Sequence, residues 1–304
     1  MKMFVGVTDK NWFELLRASN CDEVNFWTPG GQNFKVLNEN DLFLFKLHAP
    51  DNYIVGGGFF VRFTLLPTFL AWSAFGIKNG TRNIDELNAR ILKYRSRNSI
   101  TADNPQIGCI ILTEPFFFEE DDWIPVPSDF NLNIVRGKTY DTQSINGLRL
   151  YHEVMDRLQR KPAEVSSFTS EQRYSESMTK HRLGQGAFRV VVTDAYQRRC
   201  AITGEKTLPV LEAAHIKPYA AQGPHDICNG ILLKSDFHTL FDGGYITIDP
   251  SFTVEVSKRL HDDFGNGRDY YSYHGKKLQI IPEQAIQLPS KEFLDWHNTH
   301  VYLG

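Results

Sequence analysis

The chain has 304 residues, and 33 Lys and Arg against 36 Asp and Glu give a net charge of −3. With 41% hydrophobic and 23% charged residues it has the make-up of a folded globular protein long enough for two domains, which excludes disordered and fibrous classes. No run of eighteen apolar residues is present, so no membrane span or membrane partner is expected, and the four scattered cysteines (Cys21, Cys109, Cys200, Cys228) form no C-x-x-C pair and no disulfide framework.

The opening MKMFVGVTDKNWFELL meets Asp9 and Lys10 too early for a signal-peptide core, so a reducing cytoplasm is the expected compartment. Residues 1–145 read as a strand-rich unit. Short apolar runs (MFVGV, DLFLFKL, YIVGGGFFVRFTLL, IGCIIL) are separated by turn clusters such as TPGGQN and HAPDN. One helix is predicted over IDELNARILKY, with Ile84, Leu87, Ile91 and Leu92 on one face. Several short strands with one or two helices suggest a small closed or half-closed barrel.

Residues 146–186 read as a helix (NGLRLYHEVMDRLQR) followed by a polar linker. The second unit is expected over 187–304. It opens on a helix whose stripe is Phe188, Val191, Val192, Ala195 and Tyr196. Then come a strand (LPVLEAAHI), a loop, a strand leading into a short helix (GILLKSDFHTLFDGG), and a further strand region, YITIDPSFTVEVS. The whole is an α+β chain. Residues 180–217 carry seven basic and three acidic side chains, a local positive block within an acidic protein.

The chemistry concentrates in LEAAHIKPYAAQGPHDICNGILLKSDFHTLFDGG. His215 ends a strand, Asn229 stands in an Asn-Gly turn, and His238 sits in the short helix with Asp242 four residues on, on the same face. Ser235 is the expected N-cap and Gly243 the expected stop. Phosphodiester hydrolysis needs a base for water, which an imidazole supplies near neutral pH, and a divalent cation at the scissile phosphate. His and Asp one turn apart can supply part of that coordination. An Asn amide can hold the loop.

The order His215, Asn229, His238 resembles the HNH (ββα-metal) nucleases, and CAITG, EAAHIKP, NGILL and FHTLFDGG around it are similar to the branch found in bacterial restriction endonucleases. The resemblance implies His215 as general base, Asn229 as structural support, and His238 with Asp242 as ligands to Mg2+, Mn2+ or another divalent cation. It also implies a 5′-phosphate product. The residue before the base, a ligand in many relatives, is Ala214 here, so the metal would lean on His238, Asp242, substrate oxygens and water, and Glu212, two residues back on the same strand face, could substitute. The paired cysteines of a zinc knuckle are missing, so no structural zinc is expected.

Arg189, Arg198, Arg199 and Lys217 are candidate contacts to the DNA backbone. His225 reads as a solvated loop residue, and His297 and His300 as packing residues beside Trp296.

In the first unit, the segment around FWTPGG, the Asn40-Asp41-Leu42 turn and the strand ending Ile-Val-Gly-Gly-Gly resemble PUA-superfamily barrels of the EVE kind. This implies recognition of a modified cytosine (5-methyl or 5-hydroxymethyl) flipped out of double-stranded DNA. Trp27, Phe59, Trp72 and Phe75 are candidate walls of the slot, Ser73 and Asn79 its candidate polar readers, and Gly56-Gly57-Gly58 a point of close backbone approach. The two resemblances together imply a modification-dependent restriction endonuclease acting on foreign or phage DNA in a bacterial cytoplasm, as a homodimer if both strands are cut. The alternatives are a modified-base binder with an inactive HNH domain, an HNH nuclease indifferent to modification, and an RNA-directed reader.

Overall fold

The computed structural model describes residues 1–30, 33–95, 105–131, 133–160 and 183–304, and the chain divides into two compact units, Met1–His181 and Arg182–Gly304. Most of the expected linker, 161–182, lies outside the described residues. None of the helices among the described residues is long and apolar enough to cross a membrane.

The first unit is built on a seven-stranded sheet: β1 (Lys2–Thr8), β2 (Glu23–Thr28), β3 (Leu42–Leu47), β4 (Tyr53–Pro67), β5 (Gln106–Phe117), β6 (Ile124–Pro125) and β7 (Gly137–Asp141). The strand order is β2-β5-β4-β3-β1-β7, with β6 paired to β4. β1 runs parallel to β3, and the other pairings are antiparallel. The alternation of LFLFKL places Leu42 and Leu44 on one face and Phe43 and Phe45 on the other, and all four are fully buried.

Helix α1 (Lys10–Ala18) covers the phenylalanine face with Trp12, Phe13 and Leu16. Asp9 caps it by accepting from the backbone N–H of Trp12 at 2.8 Å. Helices α2 (Thr68–Phe75) and α3 (Ile84–Tyr94) follow β4; Leu87 and Ile91 of α3 are buried, whereas Leu92 is exposed. Helix α4 (Ile145–Arg160) covers the leucine face with Leu150, Val154 and Met155, so this helix is part of the first unit's core.

The expected PUA/EVE-like β-barrel is not what forms. Among the described residues no ladder joins β2 to β7, and the sheet stays open. The physical reason is that helices bury both faces, so the sheet does not need to close on itself to protect them. The triple glycine answers to strand packing: a Cβ on Gly56 would lie 2.2 Å from the Phe116 carbonyl oxygen, and one on Gly57 2.6 Å from that of Phe43.

The second unit begins with α5 (Gln185–Ala195) and carries the antiparallel pair β8 (Leu211–His215) and β9 (Gly230–Lys234). β9 runs directly into α6 (Ser235–Asp242). A hairpin, β10 (Ile246–Ile248) with β11 (Val254–Val256), and the helices α7 (Arg259–Phe264), α8 (Arg268–Tyr271) and α9 (Lys291–His300) complete it. One core runs through this unit. It includes Phe188, Val192 and Tyr196 from α5, Ala214 and Ile231 from the strands, and Phe237 and Phe241 from α6. The apolar faces of β8, β9 and α6 are thereby fixed against α5, which aims their polar faces at one place.

Candidate active site

His215 closes β8 opposite Gly230 in the β8–β9 register. A Cβ at Gly230 would lie 2.3 Å from Val192, so glycine there lets α5 pack over the end of the hairpin. Phe188 of α5 then stacks on the His215 ring at 4.0 Å between centroids and 11° between planes. The His215 Nε2 is 2.8 Å from Nδ1 of His225, whose ring stacks on Tyr219 at 4.8 Å and 12°. His225 is therefore not the solvated loop residue the sequence suggests. Burial, and next the charge of His225, push the His215 imidazole down to about 4, so it is neutral at pH 7.

Asn229 is fully buried, and its amide joins the two ends of the loop between β8 and β9. Its Oδ1 accepts the Lys217 backbone N–H at 2.8 Å, while Nδ2 donates to the carbonyls of Lys217 and Pro224, each at 2.9 Å. Its own carbonyl accepts from Ile216 N–H at 2.9 Å.

Across the hairpin, the His238 ring is held at both nitrogens: Nδ1 is 2.6 Å from Glu212 Oε2, and Nε2 is 3.3 Å from Asp242 Oδ2. The hydrogen bond to Asp242, and next that to Glu212, raise the His238 pKa against the opposing effect of burial. The N-cap of the helix that carries it lies one residue earlier than expected. Lys234 occupies the N-cap position, Ser235 is the first helical residue, and no side chain caps the end. Gly243 is the C-cap in right-handed conformation, and the left-handed residue is Gly244 at φ +76°.

The donor set fits a divalent cation in a particular way. Glu212, expected as a substitute ligand, sits on the far nitrogen of His238 and orients the ring, the arrangement that fixes a ligating imidazole in one tautomer. Nε2 and the Asp242 carboxylate are left to face a cation. No group of three or more His, Cys, Asp or Glu among the described residues forms a ready cage. An imidazole and one carboxylate suit a hard cation that keeps several waters or phosphate oxygens. Ala214 is fully buried and faces the core.

His215, His238, Asp242 and Glu212 line one cavity of about 550 Å³, together with Phe188, Arg189 and Tyr219. The HNH endonuclease family model matches residues 200–249. That segment is an HNH endonuclease domain. No curated protein matches the chain. Among solved structures, the modification-dependent TagI restriction endonuclease aligns over 92% of this chain and 75% of its own, at 12% identity and a TM-score of 0.30. The Type IV phosphorothioation-dependent restriction endonuclease ScoMcrA aligns over 78% and 52%, at 13% identity and a TM-score of 0.18. Neither alignment positions a residue of the site.

Within the HNH domain, Cys200 is buried and its Sγ accepts the backbone N–H groups of Thr203 and Lys234, each at 3.4 Å. Of the four basic candidates, Arg189 lines the cavity. Arg198 is paired with Asp194 at 3.1 Å, Arg199 donates to the Gly204 carbonyl at 3.3 Å, and Lys217 lies over the Trp296 ring at 5.5 Å. His297, outside the matched segment, is buried against Phe241 in a parallel stack at 3.8 Å, and His300 stacks on Trp296 at 4.8 Å.

The residues expected to form a base slot all lie in the first unit. Phe59 is in the core beneath α4, and Phe75 is buried. Asn79 is fully buried, accepts from Asn25 Nδ2 at 2.8 Å and donates to the Ala71 and Gly76 carbonyls, so its amide is used internally. Trp27 is half-buried, with Nε1 donating to the Asn79 carbonyl at 2.9 Å and Tyr94 6.5 Å from its ring. Trp72 is half-buried and Ser73 exposed, both on α2. His225 and Glu212 are the two site residues whose roles sequence reasoning missed or misplaced. The signals that pointed at them were the Gly-Pro-His-Asp wording of the loop and the two-residue strand spacing of Glu212 from Ala214.

Proposed function

We propose that the chain is a metal-dependent DNA endonuclease whose cutting depends on a modified cytosine, and that it restricts foreign or phage DNA in a bacterial cytoplasm. The observation that carries this reading is that His215 at the end of β8 and the His238–Asp242 pair on the helix after β9 line a single cavity.

In this reading His215 is the general base. Phe188 and His225 hold its ring, and because it is neutral at pH 7 it can take a proton from water. His238 Nε2 and Asp242 hold Mg2+, Mn2+ or a similar ion, with Glu212 orienting His238. Bound there, the cation supplies charge against the scissile phosphate and the leaving oxygen. Asn229 keeps the loop closed so that the base stays in place. Arg189, which lines the cavity, and Arg198, Arg199 and Lys217 contact backbone phosphates. Product ends carry a 5′-phosphate, and a homodimer or paired binding cuts both strands.

Recognition of 5-methyl- or 5-hydroxymethylcytosine, by flipping the base, is assigned to the first unit. Trp27, Trp72 and Ser73 are the contacts still accessible there, and Phe59 and Phe75 support the fold beneath. A second reading, a modified-base binder that does not cut, is favoured by Ala214, which removes one ligand position. Unmodified, 5-methyl, 5-hydroxymethyl and glucosylated versions of one DNA, each incubated with Mg2+ or Mn2+ and with EDTA as control, separate these. Metal-dependent cutting confined to modified DNA supports the proposal. Intact DNA in every tube sinks the enzyme, and equal cutting of all four sinks the dependence on modification.

A further inference from the structure

The contact between His215 and His225 bears on which nitrogen of His215 does the work. The two ring nitrogens are 2.8 Å apart with one proton between them, and two arrangements satisfy the contact. If His225 Nδ1–H donates, His215 must carry its own proton on Nδ1. Its Nε2 lone pair is then occupied, and no basic nitrogen is left. If His215 Nε2–H donates, the Nδ1 lone pair of His215 is free. That Nδ1 has no hydrogen-bond partner among the described residues and is not one of the buried unsatisfied atoms, while the ring itself lines the cavity.

We infer that His225 is a positioning residue for His215: its Nδ1 accepts the Nε2–H of His215 and thereby reserves the Nδ1 lone pair of His215 for water. In the step itself a water O–H bond breaks and an N–H bond forms at His215 Nδ1. The Nε2–H bond remains, and the imidazolium charge is stabilised by the neutral acceptor on His225, with no further proton leaving the pair.

The loop is built to hold His225 there. Asn229 Nδ2 donates to the carbonyl of Pro224, the residue immediately before it. A Cβ on Gly223 would lie 1.8 Å from the Lys217 carbonyl oxygen, so the loop closes tightly at that point. Tyr219, itself exposed, stacks flat on the outer face of the His225 ring and fixes the direction of its nitrogens. Phe188 does the same for His215. These two parallel stacks leave the two rings facing each other through one nitrogen each.

The inference rests on His215 being the base, so its test has one arm that needs no cleavage. In the full-length protein labelled with 15N-histidine, long-range 1H–15N correlation spectra at pH 7.5 should show His215 protonated at Nε2 and bare at Nδ1. In His225→Phe, which keeps a ring on Tyr219 but offers no acceptor, that signature should give way to a mixture of tautomers. In His225→Asn, whose amide oxygen can accept, it should return. A wild-type His215 protonated at Nδ1, or one unchanged by His225→Phe, overturns the inference.

The second arm measures cutting of hydroxymethylcytosine-containing phage DNA with Mn2+. His225→Phe should lower kcat by roughly 10- to 100-fold at unchanged KM, with recovery in His225→Asn. Equal loss in both variants overturns the positioning role. If the wild-type tautomer is as stated and yet His215→Ala still cuts, the reading of the base fails instead, and the two failures are thus told apart.

Discussion

At the scale of single residues, the site divides its labour between ring nitrogens. His215 uses one nitrogen on His225, and His238 uses one on Glu212, so each imidazole is left with one nitrogen for chemistry. Glu212 has no direct place at a phosphate in this account, which makes a specific expectation. Glu212→Gln should raise the Mn2+ concentration needed for half-maximal cutting by roughly 10- to 100-fold, while the rate at saturating metal stays near wild type. A collapse of the saturated rate at unchanged metal requirement would show Glu212 acting on substrate instead. His215, Asn229, His238 and Asp242 were singled out by their order together with the resemblance of the words around them to HNH nucleases. His225 was not. Its position depends on a side-chain bond from Asn229 across the loop, and no local periodicity encodes a bond of that kind.

At the scale of elements, two supports can be tested by stability. Asn229, itself fully buried, bonds three half-buried backbone groups, so Asn229→Ala should destabilise the second unit by about 2–3 kcal/mol and reduce cutting with it. Denaturant unfolding with an unchanged midpoint would mean the loop is held by other means. Helix α9 is anchored through His297, which donates from Nε2 to the Phe241 carbonyl at 3.1 Å and meets the Thr247 hydroxyl at Nδ1, 2.8 Å away.

Burial pushes the His297 imidazole down to about 4. Its ordinary value is about 6.5, so between these two pH values the unfolded chain binds the proton and the folded one does not. Its contribution is thus fully present above pH 6.5 and is lost as pH falls toward 4, by up to about 3 kcal/mol, with His215 acting in the same direction. Calorimetry between pH 7.5 and 4.5 should show the second unit's melting temperature falling, and falling less steeply in His297→Phe. Parallel pH curves for the two proteins would remove His297 from the account.

The strand–strand–helix core of this unit followed from patterning. In the first unit α1 escaped notice, because nine residues behind an Asp9 cap give a short apolar stripe that runs on from a strand. The parallel pairing of β1 with β3 joins segments about forty residues apart, which alternation alone does not specify.

At the scale of the whole molecule, the chain joins an HNH endonuclease domain to an open, two-faced sheet unit. The barrel expected there rested on short turn words and a triple glycine. The glycines serve strand contact, and the sheet's edges stay apart. The fold class as an α+β chain was readable, but the way the sheet covers its faces was not, since that depends on where α1 and α4 dock. If the first unit selects the substrate through its accessible aromatics, Trp72→Ala should narrow the ratio of cutting rates on hydroxymethylated and unmodified DNA, leaving the melting temperature within a few degrees of wild type. An unchanged ratio would move recognition elsewhere on that unit.

The most direct measurement is a cleavage time course on hydroxymethylcytosine-containing DNA with Mn2+, comparing wild type, His215→Ala and His238→Ala and identifying the product ends. The account predicts 5′-phosphate ends from the wild type, none in EDTA, and losses of about 10²- to 10⁴-fold in both variants. Cutting that persists in His215→Ala, or that proceeds without a divalent ion, would contradict it.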